Sequence, residues 1–186
     1  MTIVVQMHGE PGSGKSTLAR ALGERLGAVV LDKDVIKAAL LRAGIAEAQA
    51  GPAAYEVYFS QAAGLVRLGH SLILDNPVFW DAVERRWLAT AALAGSPPIL
   101  IECVCPDRAE LVRRLATRDA VESQPREPLD LALHAGAAPT ALQPRLTVDT
   151  TRPLDDNVAD AIAHIRARCP LPPLPSRERA GVRGPQ

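Results

Sequence analysis

An eight-residue segment near the start of the chain has the pattern G-x-x-x-x-G-K-[ST], and it restricts the fold more than any other feature of the sequence. It reads Gly-Glu-Pro-Gly-Ser-Gly-Lys-Ser, from Gly9 to Ser16. The residues before it, Thr2 to His8, form a short apolar run that predicts a buried strand. From Lys15 to Leu26, leucine and alanine then recur at helical spacing. A strand, a glycine-rich turn and a helix start are the context in which this pattern forms a phosphate-binding loop.

The residue types of this loop suit a nucleoside triphosphate. Its glycines permit backbone conformations in which successive N–H groups point inward, and the helix that follows adds its positive end. Lys15 is expected to reach the β- and γ-phosphates, and the hydroxyl of Ser16 to bind magnesium. We therefore predict ATP and Mg²⁺ as ligands. The loop residues expected to bind the nucleotide are Gly9, Gly12, Ser13, Gly14, Lys15, Ser16 and Thr17.

Strand-like and helix-like segments alternate along the rest of the chain. Further strands are predicted at residues 28–32, 71–75, 98–105 and 145–149. Helices are predicted at residues 34–42, 52–68, 81–94, 107–118 and 154–168, with Asp107 as the N-cap of the fourth of these, and a weak helix at 129–134. This alternation predicts an α/β fold of three layers, in which helices cover both faces of a parallel sheet. Ligands of such sheets bind beyond the carboxyl ends of the strands.

Composition narrows the class of protein. The chain has 186 residues, which suits one domain, and a formal net charge of zero, so no overall basic field favours nucleic acid as a partner. Its three cysteines lack metal-ligand spacing, which suggests a reducing compartment. No apolar run is long enough to span a membrane and no signal sequence is evident. We expect a cytoplasmic protein that has no contact with membranes.

The end of the chain differs in composition from the rest. Residues 169–186 are rich in proline, arginine and glycine and show no periodicity. Such a segment has too little apolar surface to pack, which predicts a disordered tail. The sequence thus divides into a domain of residues 1–168 and a tail of residues 169–186.

Two groups of aspartates are expected near the γ-phosphate. The apolar run from Ser71 ends in Asp75, as in a Walker B strand, so Asp75 is a candidate magnesium ligand. The next residue is Asn76, where motor-type ATPases usually carry a glutamate that activates water, and this favours transfer over hydrolysis. Asp32 and Asp34 follow the second predicted strand, and either carboxylate could accept the proton of an acceptor hydroxyl. The alternative is that these aspartates only cap the next helix.

Arginines and aromatic residues supply two further candidates. Arg114 and Arg118 are four residues apart, hence on one helical face, where guanidinium groups could neutralise a transferred phosphoryl group. The alternative is a solvated helix face. All six aromatic residues lie between Tyr55 and Trp87. Core packing is their favoured interpretation, ahead of an apolar wall for the acceptor.

In this order along the chain, the motifs resemble those of the small P-loop kinases grouped as AAA-type ATP-binding proteins. The resemblance rests on the loop from Gly9 to Thr17, on Asp34 and Asp75, on the arginines at 114–118 and on residues 148–150. Polynucleotide 5′-hydroxyl kinase, zeta toxin, chloramphenicol phosphotransferase and gluconate kinase are members of this group. The resemblance implies a P-loop NTPase fold like that of adenylate kinase, with a parallel sheet of strand order 2-3-1-4-5.

The resemblance also implies functional roles. In several members the aspartate that corresponds to Asp34 activates the acceptor hydroxyl. Residues 150–153 match the place where such kinases hold adenine, and Thr151 and Arg152 are the candidate nucleotide-binding residues among them. We therefore predict an ATP- and Mg²⁺-dependent phosphotransferase that acts on a hydroxyl of a small molecule. One alternative is a polynucleotide or nucleotide kinase, which would need a local basic channel. The other is a nucleotide-binding regulator with slow ATP hydrolysis.

Overall fold

The structure is a computed structural model, and it describes residues 2–76, 81–117 and 145–169. Within these residues the strands and helices alternate much as the sequence predicts. In chain order the elements are β1 (Val4–His8), α1 (Lys15–Leu26), β2 (Val29–Asp32), α2 (Lys33–Arg42), α3 (Glu47–Arg67), β3 (Leu72–Asp75), α4 (Asp81–Leu93), β4 (Ile99–Val104), α5 (Arg108–Thr117), β5 (Leu146–Asp149) and α6 (Leu154–Arg168).

The described strands form one parallel sheet with the order β2-β3-β1-β4-β5, which confirms the predicted fold. β1 is central, so the loop that follows it lies in the middle of the carboxyl edge of the sheet. Asp75 at the end of β3 is in register with Met7 of β1 on one side and with Asp32 of β2 on the other. The parallel register therefore brings the two predicted acidic strand ends to the same edge as the loop.

Two hydrophobic cores hold the helices on the two faces of the sheet. α1 and α6 cover one face, where Leu18 and Ile165 pack with Val5 and Met7 of β1. α3 and α4 cover the other face of the sheet. Gln6, which lies between Val5 and Met7 in β1, points away from the first core. All residues of β1 are consequently buried, as expected of a strand with both faces covered. The central position of the phosphate-binding loop thus rests on a fully buried strand.

The second core contains most of the described aromatic side chains. Tyr58, Phe59 and Trp87 are buried there, and the rings of Tyr58 and Phe59 meet edge to face at 5.1 Å. Tyr55, one turn earlier on α3, is only partly buried and lies toward the start of α2. Core packing therefore accounts for three of the four described aromatic residues, whereas Phe79 and Trp80 lie outside the described residues.

Helix starts agree with the sequence at α5 and differ from it at α3. The carboxylate of Asp107 accepts hydrogen bonds from the amides of Ala109 and Glu110, so the predicted N-cap is confirmed. α3 begins at Glu47, five residues before the predicted start at Pro52. Proline favours the first helical position, but here it lies in the second turn, where it removes one backbone hydrogen bond and crowds the carbonyl four residues earlier. The side chain of Glu47 pairs with Lys37 of α2 and extends α3 toward its neighbour.

Several predictions concern residues outside the described part of the chain: Arg118, the weak helix at 129–134, and the tail from residue 170 onward. Cys169, the first residue assigned to the tail, is buried against the core between the sheet and α6. The division into a domain and a tail remains a prediction. Among the described residues, no helix is both long enough and apolar enough to cross a bilayer.

Candidate active site

The loop between β1 and α1 adopts the conformation that its glycines were expected to allow. Gly9, Gly12 and Gly14 have φ angles of 141°, 83° and 80°, a region that other residues rarely occupy. Gly14 is the N-cap of α1, and its carbonyl accepts the first helical hydrogen bond, from Leu18 at 3.1 Å. The loop therefore delivers its amides and the positive end of α1 to one place.

Gly9 is also required because the neighbouring backbone is too close for a side chain. A Cβ atom at this position would lie 2.4 Å from the carbonyl oxygen of Cys103 and 2.7 Å from the hydroxyl of Ser13. The first of these is backbone of β4, which cannot move without disturbing the sheet. The start of the loop is thus pressed against the neighbouring strand.

Gly9→Ala is therefore expected to destabilise the protein by roughly 2 to 5 kcal/mol, as strain and overpacking add. Urea unfolding measures this change. Gly27→Ala is the matched control, because Gly27 has a φ of 63° at the end of α1 but nothing within 4 Å of a new Cβ. The control should cost only about 1 kcal/mol. Equal losses in both variants would contradict a steric role for the close approach to β4.

The loop forms one side of a cavity of about 500 Å³. Every residue of the loop predicted to bind nucleotide is in its wall, as are Asp34, Arg114 and Arg152, which come from three other elements or loops. The remaining residues of the wall are Glu10, Pro11, Arg20, Thr117, Thr150, Leu154 and Asn157. The cavity lies at the carboxyl edge of the sheet, where ligands of such folds are expected.

Lys15, in the cavity wall, forms a nearly buried ion pair with Asp75, which lies at the end of β3 and is not among the described residues of the wall. Lys15 Nζ lies 3.3 Å from Asp75 Oδ1, and the Asp75 side chain is only 3% exposed. Burial by itself lowers the pKa of Lys15, but the carboxylates of Asp75 and Asp34 outweigh burial and raise its pKa above the ordinary value. Lys15 therefore stays an ammonium ion, as phosphate binding needs.

Asp32 and Asp34, left open by the sequence, have different surroundings. Oδ1 of Asp32 accepts hydrogen bonds from the amides of Asp34 at 2.8 Å and Val35 at 3.4 Å, so Asp32 is the N-cap of α2. Burial and the nearby Asp75 raise the pKa of Asp32 despite these hydrogen bonds. Asp34 instead lies in the wall of the cavity, with its carboxylate 2.5 Å from Lys33 Nζ. Asp32 is thus the residue whose side chain caps α2, whereas Asp34 lies in the cavity wall.

Each of the three guanidinium nitrogens of Arg114 donates a hydrogen bond. Its Nε donates to Glu110 at 2.7 Å, and its two terminal nitrogens donate to the hydroxyl and the carbonyl of Thr150, each at 2.9 Å. Arg113 also pairs with Glu110, and the two arginines lower the pKa of Glu110 to about 2. Arg114 therefore joins α5 to the loop after β5 and lies in the wall of the cavity.

The loop after β5 contains Thr150, part of the segment that the resemblance matched to an adenine site, and is fixed by Asn157 of α6, which the sequence analysis did not single out. Thr150 packs against Gly14, so that a Cβ atom added to Gly14 would lie 3.1 Å from the Cβ of Thr150. The hydroxyl of Thr150 accepts a hydrogen bond from Arg114. Asn157, 2% exposed, donates from its side chain to the carbonyls of Asp149 and Arg152 and so fixes the loop. Both residues are in the cavity wall. The sequence signal for this region was the pair Thr150 and Thr151 directly after Asp149, which indicated the loop after β5.

Of the two residues predicted to hold adenine, Thr151 and Arg152, only Arg152 is in the described wall of the cavity. The side chain and amide of Thr151 donate to Asp149 Oδ1 at 2.7 and 2.9 Å, and in the part of the chain that the structure describes Thr151 is not in the cavity wall. Arg152 is in the wall, and it pairs with Asp160 of α6 at 2.8 Å. Thr150 occupies the wall position that was expected of its neighbour.

The donor set suits a magnesium ion. Ser16 on the first turn of α1 supplies a hydroxyl oxygen, and Asp75 supplies a carboxylate at the end of the adjacent strand. Oxygen donors of this kind are those that Mg²⁺ prefers, with phosphate oxygens and waters completing its shell. No cluster of three or more His, Cys, Asp or Glu side chains occurs among the described residues, so a cage made of protein ligands alone is not formed there.

The family model for an AAA domain matches residues 4–138 of this sequence. The chain belongs to this family. An uncharacterized protein of Mycobacterium tuberculosis is 28% identical over 166 residues. That alignment covers 82% of this chain and 32% of the relative, so the chain spans about a third of the length of this AAA-domain relative.

Solved structures place this AAA domain among the small P-loop kinases, as the sequence resemblance implied. A provisionally assigned kinase from Chloroflexus aurantiacus is 25% identical with a TM-score of 0.69, over 88% of this chain and 98% of that one. A gluconokinase from Sinorhizobium meliloti is 17% identical with a TM-score of 0.61, over 89% and 92% of the two chains. The second likeness concerns the fold alone.

Proposed function

We propose that this protein transfers the γ-phosphoryl group of ATP to a hydroxyl group of a small molecule, with Mg²⁺ as a cofactor. The observation that carries the proposal is the position of Asp34 in the wall of the cavity that the phosphate-binding loop forms. A carboxylate at this place is suited to accept the proton of an incoming hydroxyl group. A site that only stored a nucleotide would gain nothing from an acid facing its phosphates.

The proposal gives each side chain a task. The loop amides and Lys15 bind the β- and γ-phosphates, and Ser16 and Asp75 hold the magnesium ion, which neutralises phosphate charge when bound. Lys15 then exchanges its contact with Asp75 for one with the nucleotide. Asp34 orients the acceptor hydroxyl and takes its proton.

The arginines and the loop after β5 complete the proposed nucleotide site. Arg114 adds positive charge on the α5 side, and Arg118 continues the same helical face in the sequence. Arg152 and the loop held by Asn157 flank the base of ATP. Thr151 supports this loop through Asp149 rather than facing the ligand. We infer a cytoplasmic location from the three cysteines, which are free thiols.

An assay of ATP consumption with a panel of possible acceptors tests this function. ADP formation from ATP and Mg²⁺ is measured alone and with sugars, polyols, nucleosides, amino alcohols and oligonucleotides with a free 5′-hydroxyl. Stimulation by a small hydroxyl compound supports the proposal. Stimulation by oligonucleotides alone would identify a polynucleotide kinase, and slow ADP formation that no acceptor alters would identify a nucleotide-binding regulator.

A further inference from the structure

Lysine is scarce in this chain, and the positions of its few lysines suggest that Lys33 has a specific use. The sequence has 18 arginines but only three lysines, Lys15, Lys33 and Lys37. All three are largely buried, with 13%, 13% and 17% of their side chains exposed, and all three form ion pairs. A largely buried ammonium group persists only with a partner, so each lysine has a specific local use. Lys15 has the use described above.

The place of Lys33 is unfavourable for a lysine on helical grounds alone. It is the first residue of α2, at the positive end of the helix dipole, where acidic side chains are preferred. Its partner is the next residue, Asp34, and adjacent side chains on a helix normally do not face each other. Nevertheless Lys33 Nζ lies 2.5 Å from Asp34 Oδ1. Helix formation therefore does not explain this contact.

Lys33 makes a second contact, with the aromatic ring of Tyr55. Its Nζ lies 5.6 Å from the centroid of the Tyr55 ring on α3, within the range of a cation–π interaction. The hydroxyl of Tyr55 is in turn hydrogen-bonded to the side chain of Asn76, the residue after Asp75. Tyr58 also donates to Asn76, at 2.7 Å. Lys33 is thus braced by a buried network that begins beside the proposed magnesium ligand.

We propose that Lys33 is a positioning residue that holds the carboxylate of Asp34 in the cavity wall and acts only through it. Asp34 lies in that wall, whereas among the described residues Lys33 does not. A compact ammonium on a slim stem fits between the carboxylate and the Tyr55 ring, where the planar fork of an arginine needs more room. The consequence for catalysis rests on the proposed function, but the contact itself can be tested without an acceptor.

The first test is an NMR measurement on the full chain. Protein labelled with ¹³C at the lysine ε-carbons gives one signal for each of the three lysines, and Lys33→Met and Lys37→Met assign them. Asp34→Asn should shift the Lys33 signal much more than the Lys37 signal, since Lys37 pairs with Glu47 of α3 rather than with Asp34. A Lys33 signal that does not respond to Asp34→Asn would overturn the proposal whether or not an acceptor is known.

The second test is a double-mutant cycle in kcat with an active acceptor. Lys33→Met should lower kcat by about 10- to 100-fold, the effect of misplacing a reacting group, with the KM for ATP within about threefold of wild type. In an Asp34→Asn background, Lys33→Met should change kcat no further, because its target is already lost. Additive losses in an active enzyme would overturn the positioning role. A wild-type protein that phosphorylates no acceptor would instead refute the proposed function, and the NMR result would still decide the contact.

Discussion

Lys15→Ala is expected to lower phosphoryl transfer by at least about 10³-fold, to below detection, and to weaken ATP binding. Lys15 is the one cationic side chain of the loop, the one proposed to bind the phosphates, and it pairs with Asp75 at 3.3 Å. The variant also leaves the carboxylate of Asp75 buried without this partner. Removing one member of a buried ion pair costs about 3 to 5 kcal/mol of stability, so a lower melting temperature is expected as well.

A second variant separates the loss of function from the loss of stability. Asp75→Asn in the Lys15→Ala background removes the isolated charge and should recover part of the lost stability without restoring turnover. Thermal unfolding and ATP titration on the single and double variants measure both effects. Near-normal turnover in a folded Lys15→Ala protein would refute the kinase function.

Asp34→Asn is expected to lower kcat by about 10²- to 10⁴-fold while ATP affinity stays close to that of wild type. Asparagine keeps the size of the side chain but cannot take a proton. The side chain of Asp34 lies in the wall of the cavity and takes no part in the capping of α2, which uses only the backbone amide of Asp34, so the loss should appear in the chemical step. The measurement is kcat with an active acceptor beside the Kd for ATP.

Asp32→Ala is the matched control for this prediction. Asp32 caps α2, so its loss should cost about 1 kcal/mol of stability and reduce kcat much less than Asp34→Asn does. The opposite ranking would make Asp32 the base. A kcat of Asp34→Asn within about threefold of wild type would leave Asp34 with a structural role only, since tenfold in rate corresponds to about 1.4 kcal/mol of barrier.

The parts of this site that come from local sequence were predictable. The loop from Gly9 to Ser16 depends on backbone conformations that its glycines alone permit, so its pattern carries its geometry. Asp75 was predictable because parallel strands end at a common edge, and the register with β1 confirms its place there. Asp107 could be predicted as a cap because capping involves only the next few residues.

The parts that depend on distant contacts were not predictable in the same way. Thr150 meets Arg114 across 36 positions of sequence, and no periodicity reports such a pair. Lys33 and Asp34 are adjacent, yet helical spacing argues against their contact, so Lys33 was passed over. The start of α3 was predicted at Pro52, whereas the helix begins at Glu47, whose side chain pairs with Lys37 of α2. In each case tertiary packing overrode a local rule.

The most direct test of the central claim is to follow the γ-phosphoryl group itself. Protein is incubated with γ-³²P-labelled ATP, Mg²⁺ and the best small hydroxyl acceptor, and the label is separated into phosphorylated acceptor and inorganic phosphate. The account predicts label in a phosphate ester in amounts equal to the ADP formed, and none in that ester with Lys15→Ala. Label that appears only as inorganic phosphate, whatever acceptor is present, would contradict the assignment of this protein as a phosphotransferase.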